Sequence, residues 1–176
     1  MTTLETERLT LRMFRAADFD AYAEMCADPE LVRYLGDGQP LSRALAWRHL
    51  ALVVGHWSLR GYGLWAAEER ATGTFVGRIG FWFPEGWPGI ELGWMLRRSY
   101  WGRGYATEGA RAALQFGFSE LDQSQIISLI HPENTASIRV AERLGERPLG
   151  AVEVLGKQTM AYGITRAEWE TANHTT

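Results

Sequence analysis

The spacing of apolar residues along the chain changes between a period of two and a period near 3.6. Over residues 8–14, Leu9, Leu11 and Met13 alternate with polar residues, a pattern typical of a strand with one buried face. Arg12 is expected to point outward with the other polar residues of this strand. Six further extended segments are predicted, at 62–68, 74–83, 89–96, 125–131, 152–155 and 159–164.

Helical segments are marked by capping residues and by apolar residues three or four positions apart. Asp18 is expected to cap a first helix that runs to Cys26, and Ser42 is expected to cap a longer helix that ends near Leu59. Further helices are predicted at 31–34, at 106–121 and, between an Asn134 cap and Gly145, at 134–144.

The order of these segments favours a mixed α/β (α+β) fold. The segments 89–96, 106–121 and 125–131 form a strand–helix–strand unit, which joins parallel neighbours in a sheet. Other connections are short, such as the hairpin-type turn 70–73. We therefore expect a mostly antiparallel central sheet of about six to seven strands with one parallel pair, flanked by about four to five helices.

Size, charge and cysteine content narrow the function classes. The 176 residues suit a single domain, 1–176. With a net charge of −3, the protein lacks the positive potential that binds a nucleic-acid phosphate backbone. No nucleic-acid partner is therefore expected. One cysteine and four histidines give neither a disulfide nor a zinc-ligand spacing, and the first fifteen residues are too charged for a secretory signal. No apolar run approaches the length of a membrane span, so a metal-free cytoplasmic protein is expected.

The chain contains eight tryptophans, which is a high number for its length. Trp47 and Trp57 lie in the helix predicted after Ser42 and are expected to fill the core. A surface rich in aromatic residues would also permit a homodimer.

A turn broken by two glycines, residues 99–108, separates strand 89–96 from the next helix. Gly102 and Gly104 leave backbone N–H groups uncovered, and a helix N-terminus adds roughly half a positive charge. Such a turn can bind a phosphate, although a tight strand-to-helix connection would need the same glycines. It lacks the P-loop pattern, and Thr107 stands where the dinucleotide fingerprint has its third glycine.

Several separated segments resemble one family. Residues 91–94 (Glu-Leu-Gly-Trp), followed by 100–108, resemble the acetyl-CoA-binding motif of the GNAT superfamily of N-acetyltransferases. Residues 134–145 resemble its second motif. Residues 6–12 near the start, and 162–164 with 168–169 near the end, are similar to the branch of ribosomal-protein N-terminal acetyltransferases. The resemblance implies a GNAT-like sheet whose parallel pair splays apart, and an enzyme that transfers an acetyl group from acetyl-CoA to a primary amine.

The resemblance also implies where the co-substrate acetyl-CoA would bind. The turn would bind the pyrophosphate, and the Arg103 side chain would add positive charge. The residues implied in this contact are Gly102, Arg103, Gly104, Tyr105, Ala106 and Thr107. The pantetheine arm would lie along the strand at Trp94, Met95 and Leu96. A backbone N–H near Met95 would stabilise the oxyanion of the reaction. Asn134 would contact the pantetheine, hold the strands apart or only cap its helix.

Two residues are expected to carry the chemistry. Glu91 would accept the amine proton through a water molecule, unless it is an ordinary solvent-facing or ion-paired strand residue. Weaker candidates for this base are Glu68, Glu85 and His131. Many members of the superfamily have a tyrosine general acid where this chain has Ala141. By resemblance, Ser137 would then protonate the leaving thiolate, with bulk water as the alternative.

The acceptor is left open between a protein N-terminal α-amine and a small-molecule amine. An amine must be neutral to attack: at pH 7 this costs a lysine amine roughly 4–5 kcal/mol, but an α-amine only about 1–1.5 kcal/mol. The loop with Glu85 and Trp87 and the segment 28–39 are expected to contact the acceptor. Because Cys26 lies outside both motifs, direct transfer in a ternary complex is expected. The alternative function is a non-catalytic CoA-binding sensor or structural module.

Overall fold

The computed structural model describes residues 2–173. Its strands are β1 (Leu4–Glu5), β2 (Leu9–Arg12), β3 (Leu64–Glu69), β4 (Thr74–Trp82), β5 (Glu91–Leu96), β6 (Gln125–Ile130), β7 (Arg147–Val154) and β8 (Lys157–Thr165). Its α-helices are α1 (Phe19–Ala27), α2 (Pro29–Val32), α3 (Arg43–Arg60), α4 (Tyr105–Ser119), α5 (Thr135–Leu144) and α6 (Arg166–Asn173).

The strands form one sheet in the order β1-β2-β3-β4-β5-β6-β8-β7. Neighbouring strands are antiparallel except for β5 and β6, which run parallel. The parallel pair is in register where Glu91 lies opposite Ile127. No further residue pair joins β5 and β6 beyond this point, and a gap lined by both strands opens in the middle of the sheet.

Helix α4 packs closely against one face of the sheet. A Cβ atom at Gly109 would lie 2.4 Å from Cδ1 of Ile79, and one at Gly117 would lie 2.6 Å from Cδ1 of Ile126. A side chain at either position would force these isoleucine side chains or the helix to shift. The packing fixes the N-terminus of α4 beside the end of β5, where the glycine turn lies.

Helices α1 and α3 cover the opposite face, where Tyr22 packs in one apolar cluster with Met95. The antiparallel register of β4 and β5 places Arg78 opposite Met95, and Trp82 opposite Glu91. Because alternate residues of a strand share a face, these four side chains point to the α1 and α3 side.

The expected mixed fold with a parallel pair in the predicted strand–helix–strand unit is confirmed. Residues 2–173 contain eight strands and six α-helices, against the about six to seven and four to five predicted. Two elements account for the difference. The two residues of β1 are too few to show a period, and α6 follows β8 without an intervening loop or glycine.

Two predictions near the N-terminus are wrong. Arg12, expected to point outward, is only 6% exposed. Its guanidinium forms ion pairs with Asp18 at 2.8 Å and with Glu68 at 2.7 Å, which compensate its burial. The Asp18 carboxylate accepts hydrogen bonds from the Arg12 guanidinium and from the Arg15 N–H. Its side chain therefore does not cap α1.

Helix α3 confirms one tryptophan prediction and contradicts the other. Trp57 is buried, and its indole N–H donates a hydrogen bond to the carbonyl of Leu64 at 2.8 Å. Trp47 is 60% exposed, because it lies on the outer side of the helix with Leu45. None of the helices within residues 2–173 combines the length and the apolar composition that crossing a membrane requires.

Candidate active site

Both glycines of the turn have a backbone conformation that favours glycine. Gly102 and Gly104 adopt φ angles of 73° and 81°, in the left-handed region that favours glycine. The Glu108 N–H bonds to the carbonyl of Gly104 at 3.0 Å and forms the first turn of α4. The N–H groups of residues 105–107 precede this bond and have no partner within the helix. The turn therefore presents backbone donors at a helix N-terminus, a suitable site for a phosphate.

A brace from the N-terminal strand region holds this turn in place. The Glu108 carboxylate accepts hydrogen bonds from the Thr6 hydroxyl at 2.6 Å and from the Arg8 N–H at 2.8 Å, and it pairs with the Arg8 side chain. Arg8 in turn donates to the carbonyl of Arg103 at 2.9 Å, and its guanidinium lies over the Tyr105 ring. Burial disfavours the Glu108 charge, but the bonds from Thr6 and Arg8 outweigh it and lower its pKa.

The gap between β5 and β6 contains a cavity of about 80 Å³. Trp94, Asn134 and Ser137 line it on the side of α5. The Trp94 indole N–H donates to the Ser137 hydroxyl oxygen at 3.3 Å. The Asn134 side-chain carbonyl accepts from the Ser137 N–H at 3.2 Å, so Asn134 is a helix cap that also faces the cavity.

A larger cavity of about 320 Å³ lies on the α1 and α3 side of the sheet. Its walls are mostly apolar and include Val32, Leu41, Trp82, Trp87 and Met95. Four residues line both cavities, namely Leu35, Arg78, Glu91 and Gly93. The two cavities therefore meet at the base of the gap, beside Glu91.

Glu91 has an unusual electrostatic environment. Burial raises its pKa to about 7, although a hydrogen bond from the Trp87 indole N–H, at 2.7 Å, and the charge of Arg78 both act in the opposite direction. A carboxyl group with this pKa is about half ionised at neutral pH, so it can accept a proton and release it again.

Glu146 is a second buried carboxyl group near Glu91. It is 3% exposed and one of its oxygens, Oε2, has no hydrogen-bond partner. Its other oxygen accepts from the Ser128 hydroxyl at 2.9 Å. Burial raises the pKa of Glu146 to about 8, and the charge of Glu91 contributes to the same shift.

The remaining predicted site residues lie in different environments. Met95 and Leu96 are buried at the end of β5, and Arg103 is exposed in the turn with its guanidinium over the Tyr100 ring. Glu85 is fully exposed and lines neither cavity; its nearest charged contact is Arg60, at 3.8 Å.

The other base candidates differ in their distance from the gap. Glu68 forms an ion pair with Arg12 and lines neither cavity. His131 lines the smaller cavity, and its ring stacks on Tyr34. Among residues 2–173, no three side chains of the metal-ligating types come together.

Sequence reasoning missed four residues that shape this site. They are Arg8, Arg78, Ser128 and Glu146. For Arg8 a signal existed, because it lies in segment 6–12, one of the segments that resemble the family. For the other three no local pattern marks the position. Sheet register brings Arg78 and Ser128 to the gap, and Glu146, between α5 and β7, reaches Ser128 through a hydrogen bond.

A family model for the acetyltransferase (GNAT) domain matches residues 8–147. The chain belongs to this family. The uncharacterized protein YkkB from Bacillus subtilis is 37% identical over 153 residues, which cover 82% of this chain and 84% of YkkB. The N-acetyltransferase p20 from Bacillus licheniformis is 32% identical over 146 residues and 82% of each chain.

Solved structures of the family share the fold. An acetyltransferase from Agrobacterium tumefaciens superposes with a TM-score of 0.85 and 32% identity, over 94% of this chain and 95% of that one. RimJ from Mycobacterium smegmatis, in complex with CoA-disulfide, has the same fold at 22% identity, with a TM-score of 0.76 over 95% of this chain and 88% of RimJ. The chain is thus an acetyltransferase, and acetyl-CoA is the donor that the GNAT family uses.

Proposed function

We propose that this enzyme transfers the acetyl group of acetyl-CoA directly to the primary amine of a small molecule or a protein N-terminus, within a ternary complex. The observation that supports this proposal is the meeting of two cavities beside Glu91. One cavity lies in the gap between β5 and β6 and extends toward α5, and the other lies on the α1 and α3 side of the sheet. A donor and an acceptor that enter from different sides would meet at this carboxylate.

In this proposal the turn binds the donor's pyrophosphate through the N–H groups of residues 102–107, with charge from Arg103. The pantetheine arm lies along Trp94, Met95 and Leu96, a part of β5 that does not pair with β6. Its amide groups would extend the sheet like a short strand. Asn134 uses its carbonyl as a cap, and its amide nitrogen would donate to the pantetheine.

Glu91 would act as the general base, directly or through one water. It accepts a proton from the amine as the amine nitrogen bonds to the acetyl carbon. A backbone N–H near Met95 would stabilise the oxyanion that forms. The carbon–sulfur bond then breaks, and the thiolate receives a proton from Ser137 or from water. Because an α-amine costs only about 1–1.5 kcal/mol to deprotonate at pH 7, a base with a pKa near 7 suffices for it.

One hydrogen bond supports Ser137 as the acid, because its oxygen already has a donor. The Trp94 indole N–H points at this oxygen, so the hydroxyl proton of Ser137 is directed to another partner. The thiolate of the product would be that partner.

The test is the release of free CoA thiol over a panel of amines and peptides, with wild-type enzyme and Glu91→Gln. We expect turnover that falls by about 10²–10⁴-fold in Glu91→Gln while CoA binding, measured by calorimetry, is unchanged. CoA binding without turnover of any acceptor would instead support the non-catalytic sensor or structural module.

A further inference from the structure

Arg78 is a cationic side chain that forms no ion pair within the described structure. It lies on β4, opposite Met95 of β5, and it lines both cavities. Its Nε atom is buried without a hydrogen-bond partner, and within residues 2–173 no carboxylate forms an ion pair with its guanidinium. Arg78 is partly exposed, but a buried N–H donor without a partner is costly, so this side chain points to a ligand that supplies the missing acceptor.

The other titratable groups around the larger cavity do not supply this partner. Burial lowers the pKa of His49 to about 4 and raises the pKa of Cys26, so both are neutral at pH 7. Asp37 is exposed at the rim, where it accepts a hydrogen bond from the Gln39 N–H. Glu91 is half ionised near pH 7 and becomes neutral when it takes up the amine proton. Arg78 is then the uncompensated charge of the cavity.

The donor does not supply it either. In the proposed function the phosphates of acetyl-CoA lie at the glycine turn, beyond the far end of β5. The pantetheine arm between the phosphates and the thioester is uncharged. The anion must therefore come from the acceptor.

We propose that the acceptor is an amino carboxylate, that is, a free amino acid or close analogue whose carboxylate pairs with Arg78 while its amine faces Glu91. This inference rests on the proposed function. A planar guanidinium forms two parallel hydrogen bonds with a carboxylate, which would fix the amine relative to the base. The apolar walls formed by Val32, Leu41, Trp82, Trp87 and Met95 favour an apolar or aromatic side chain, and about 320 Å³ accommodates one. A peptide N-terminus has a neutral amide where the amino acid has its carboxylate.

The experiment compares acceptors that differ only in this charge. Phenylalanine, leucine and methionine are each assayed beside the corresponding amide, and spermidine serves as a cationic amine. The enzymes are wild type, Arg78→Met, Arg78→Lys and, as a control of equal charge change, Arg48→Met on the exposed side of α3. The readout is the ratio of kcat/KM for each acid to kcat/KM for its amide. Because every enzyme meets the same amines, differences in amine basicity cancel when these ratios are compared.

In wild type and Arg48→Met we expect the acid to be preferred, and in Arg78→Met we expect the acid-to-amide ratio to fall by about 10- to 100-fold. Arg78→Lys should retain part of the preference. A general loss of rate in Arg78→Met is also expected, because Arg78 favours the ionised form of Glu91, but that loss affects acid and amide equally. CoA binding by calorimetry shows that each variant is folded.

An equal loss for acids and amides would overturn the inference and leave the proposed function standing. The same conclusion follows if wild type acetylates amides or spermidine but not the amino acids. Absence of turnover with every acceptor would overturn the proposed function, and this inference with it.

Discussion

The indole N–H of Trp87 donates a hydrogen bond to Oε2 of Glu91 at 2.7 Å. This bond joins the loop after β4 to the first residue of β5, and so connects the wall of the larger cavity to the proposed base. Burial is the largest influence on Glu91 and raises its pKa to about 7, whereas the Trp87 bond favours the ionised form. The loop therefore takes part in setting the pH at which this carboxylate can accept a proton.

Replacement of Trp87 by phenylalanine tests this connection. Trp87→Phe keeps an aromatic wall but removes the donor, so the pKa of Glu91 should rise and the base should be less ionised at pH 7. We expect the rising limb of the kcat/KM profile to move to higher pH by about 0.5–1 unit. The profile between pH 6 and 9 measures the shift. Trp47→Phe, on the outer side of α3, should leave the profile unchanged; an unshifted profile in Trp87→Phe would contradict a role for this bond.

Two glycines with similar backbone conformations allow a matched test of the phosphate turn. Gly102 has φ 73° and Gly73, in the distant β3–β4 turn, has φ 69°; a Cβ atom would meet nothing within 4 Å at either position. Alanine should cost about 1–2 kcal/mol of stability at both positions through its strained φ. Only Gly102→Ala adds a methyl group to the proposed pyrophosphate site.

We therefore expect CoA to bind about tenfold or more weakly to Gly102→Ala but normally to Gly73→Ala, as measured by calorimetry. Equal CoA affinity in the two variants would show that the pyrophosphate does not lie on this turn.

The turn and the residues around it show how far local sequence patterns predict a site. The Asn134 cap and the glycine turn are properties of a few adjacent residues. The cap is confirmed, and both glycines of the turn adopt the left-handed conformation that favours glycine. Arg12 and Arg78 depend on partners far along the chain. The period-two pattern predicts an outward Arg12 because it carries no information on Asp18 and Glu68 as neighbours.

Arg78 and Glu146 illustrate the same limit at the gap. Each is a single charged residue in a segment without a motif. Arg78 reaches the cavities because β4 is in register with β5, and Glu146 is buried because it lies between α5 and β7 beside Ser128. Sheet register depends on contacts between distant segments, so one sequence alone does not identify these positions as parts of a site.

The brace under the turn should make both stability and CoA binding sensitive to Glu108. Glu108→Gln keeps the shape of the side chain but removes its charge-assisted bonds to Arg8, which should lower the free energy of unfolding by about 1–2 kcal/mol at pH 7 and weaken CoA binding. Because the pKa of Glu108 is lowered from 4.5, its contribution is present above pH 4.5 and is lost as the pH falls below that value.

Urea unfolding at pH 7 and at acidic pH measures this difference, with the exposed Glu120→Gln as the control. Wild type and Glu108→Gln should converge in stability as the medium is acidified. A difference that stays constant with pH would mean that the charge of Glu108 does not stabilise the fold.

Removal of the Ser137 hydroxyl separates the two proposed proton sources for the thiolate. Ser137→Ala leaves the backbone cap to Asn134 in place, because that bond uses the Ser137 N–H. If Ser137 is the acid, kcat should fall by about 10²-fold while the KM for acetyl-CoA changes little. A kcat within about twofold of wild type would assign the proton to water.

Because Glu146 is buried, we expect the free energy of unfolding to decline with rising pH. Its pKa is raised from the ordinary value of 4.5 to about 8 in the folded protein. Between these values the folded state holds a proton that the unfolded state has released, so the free energy of unfolding falls as the pH rises.

Glu146→Gln stays neutral and keeps a carbonyl oxygen for Ser128. At pH 9 it should be more stable relative to wild type than at pH 5, by about 1–3 kcal/mol. Glu91 contributes a slope of the same sign to both proteins, so the difference between them measures Glu146 together with its coupling to Glu91. Urea unfolding at the two pH values measures the change, and parallel pH dependences would show that Glu146 is ionised in the folded enzyme.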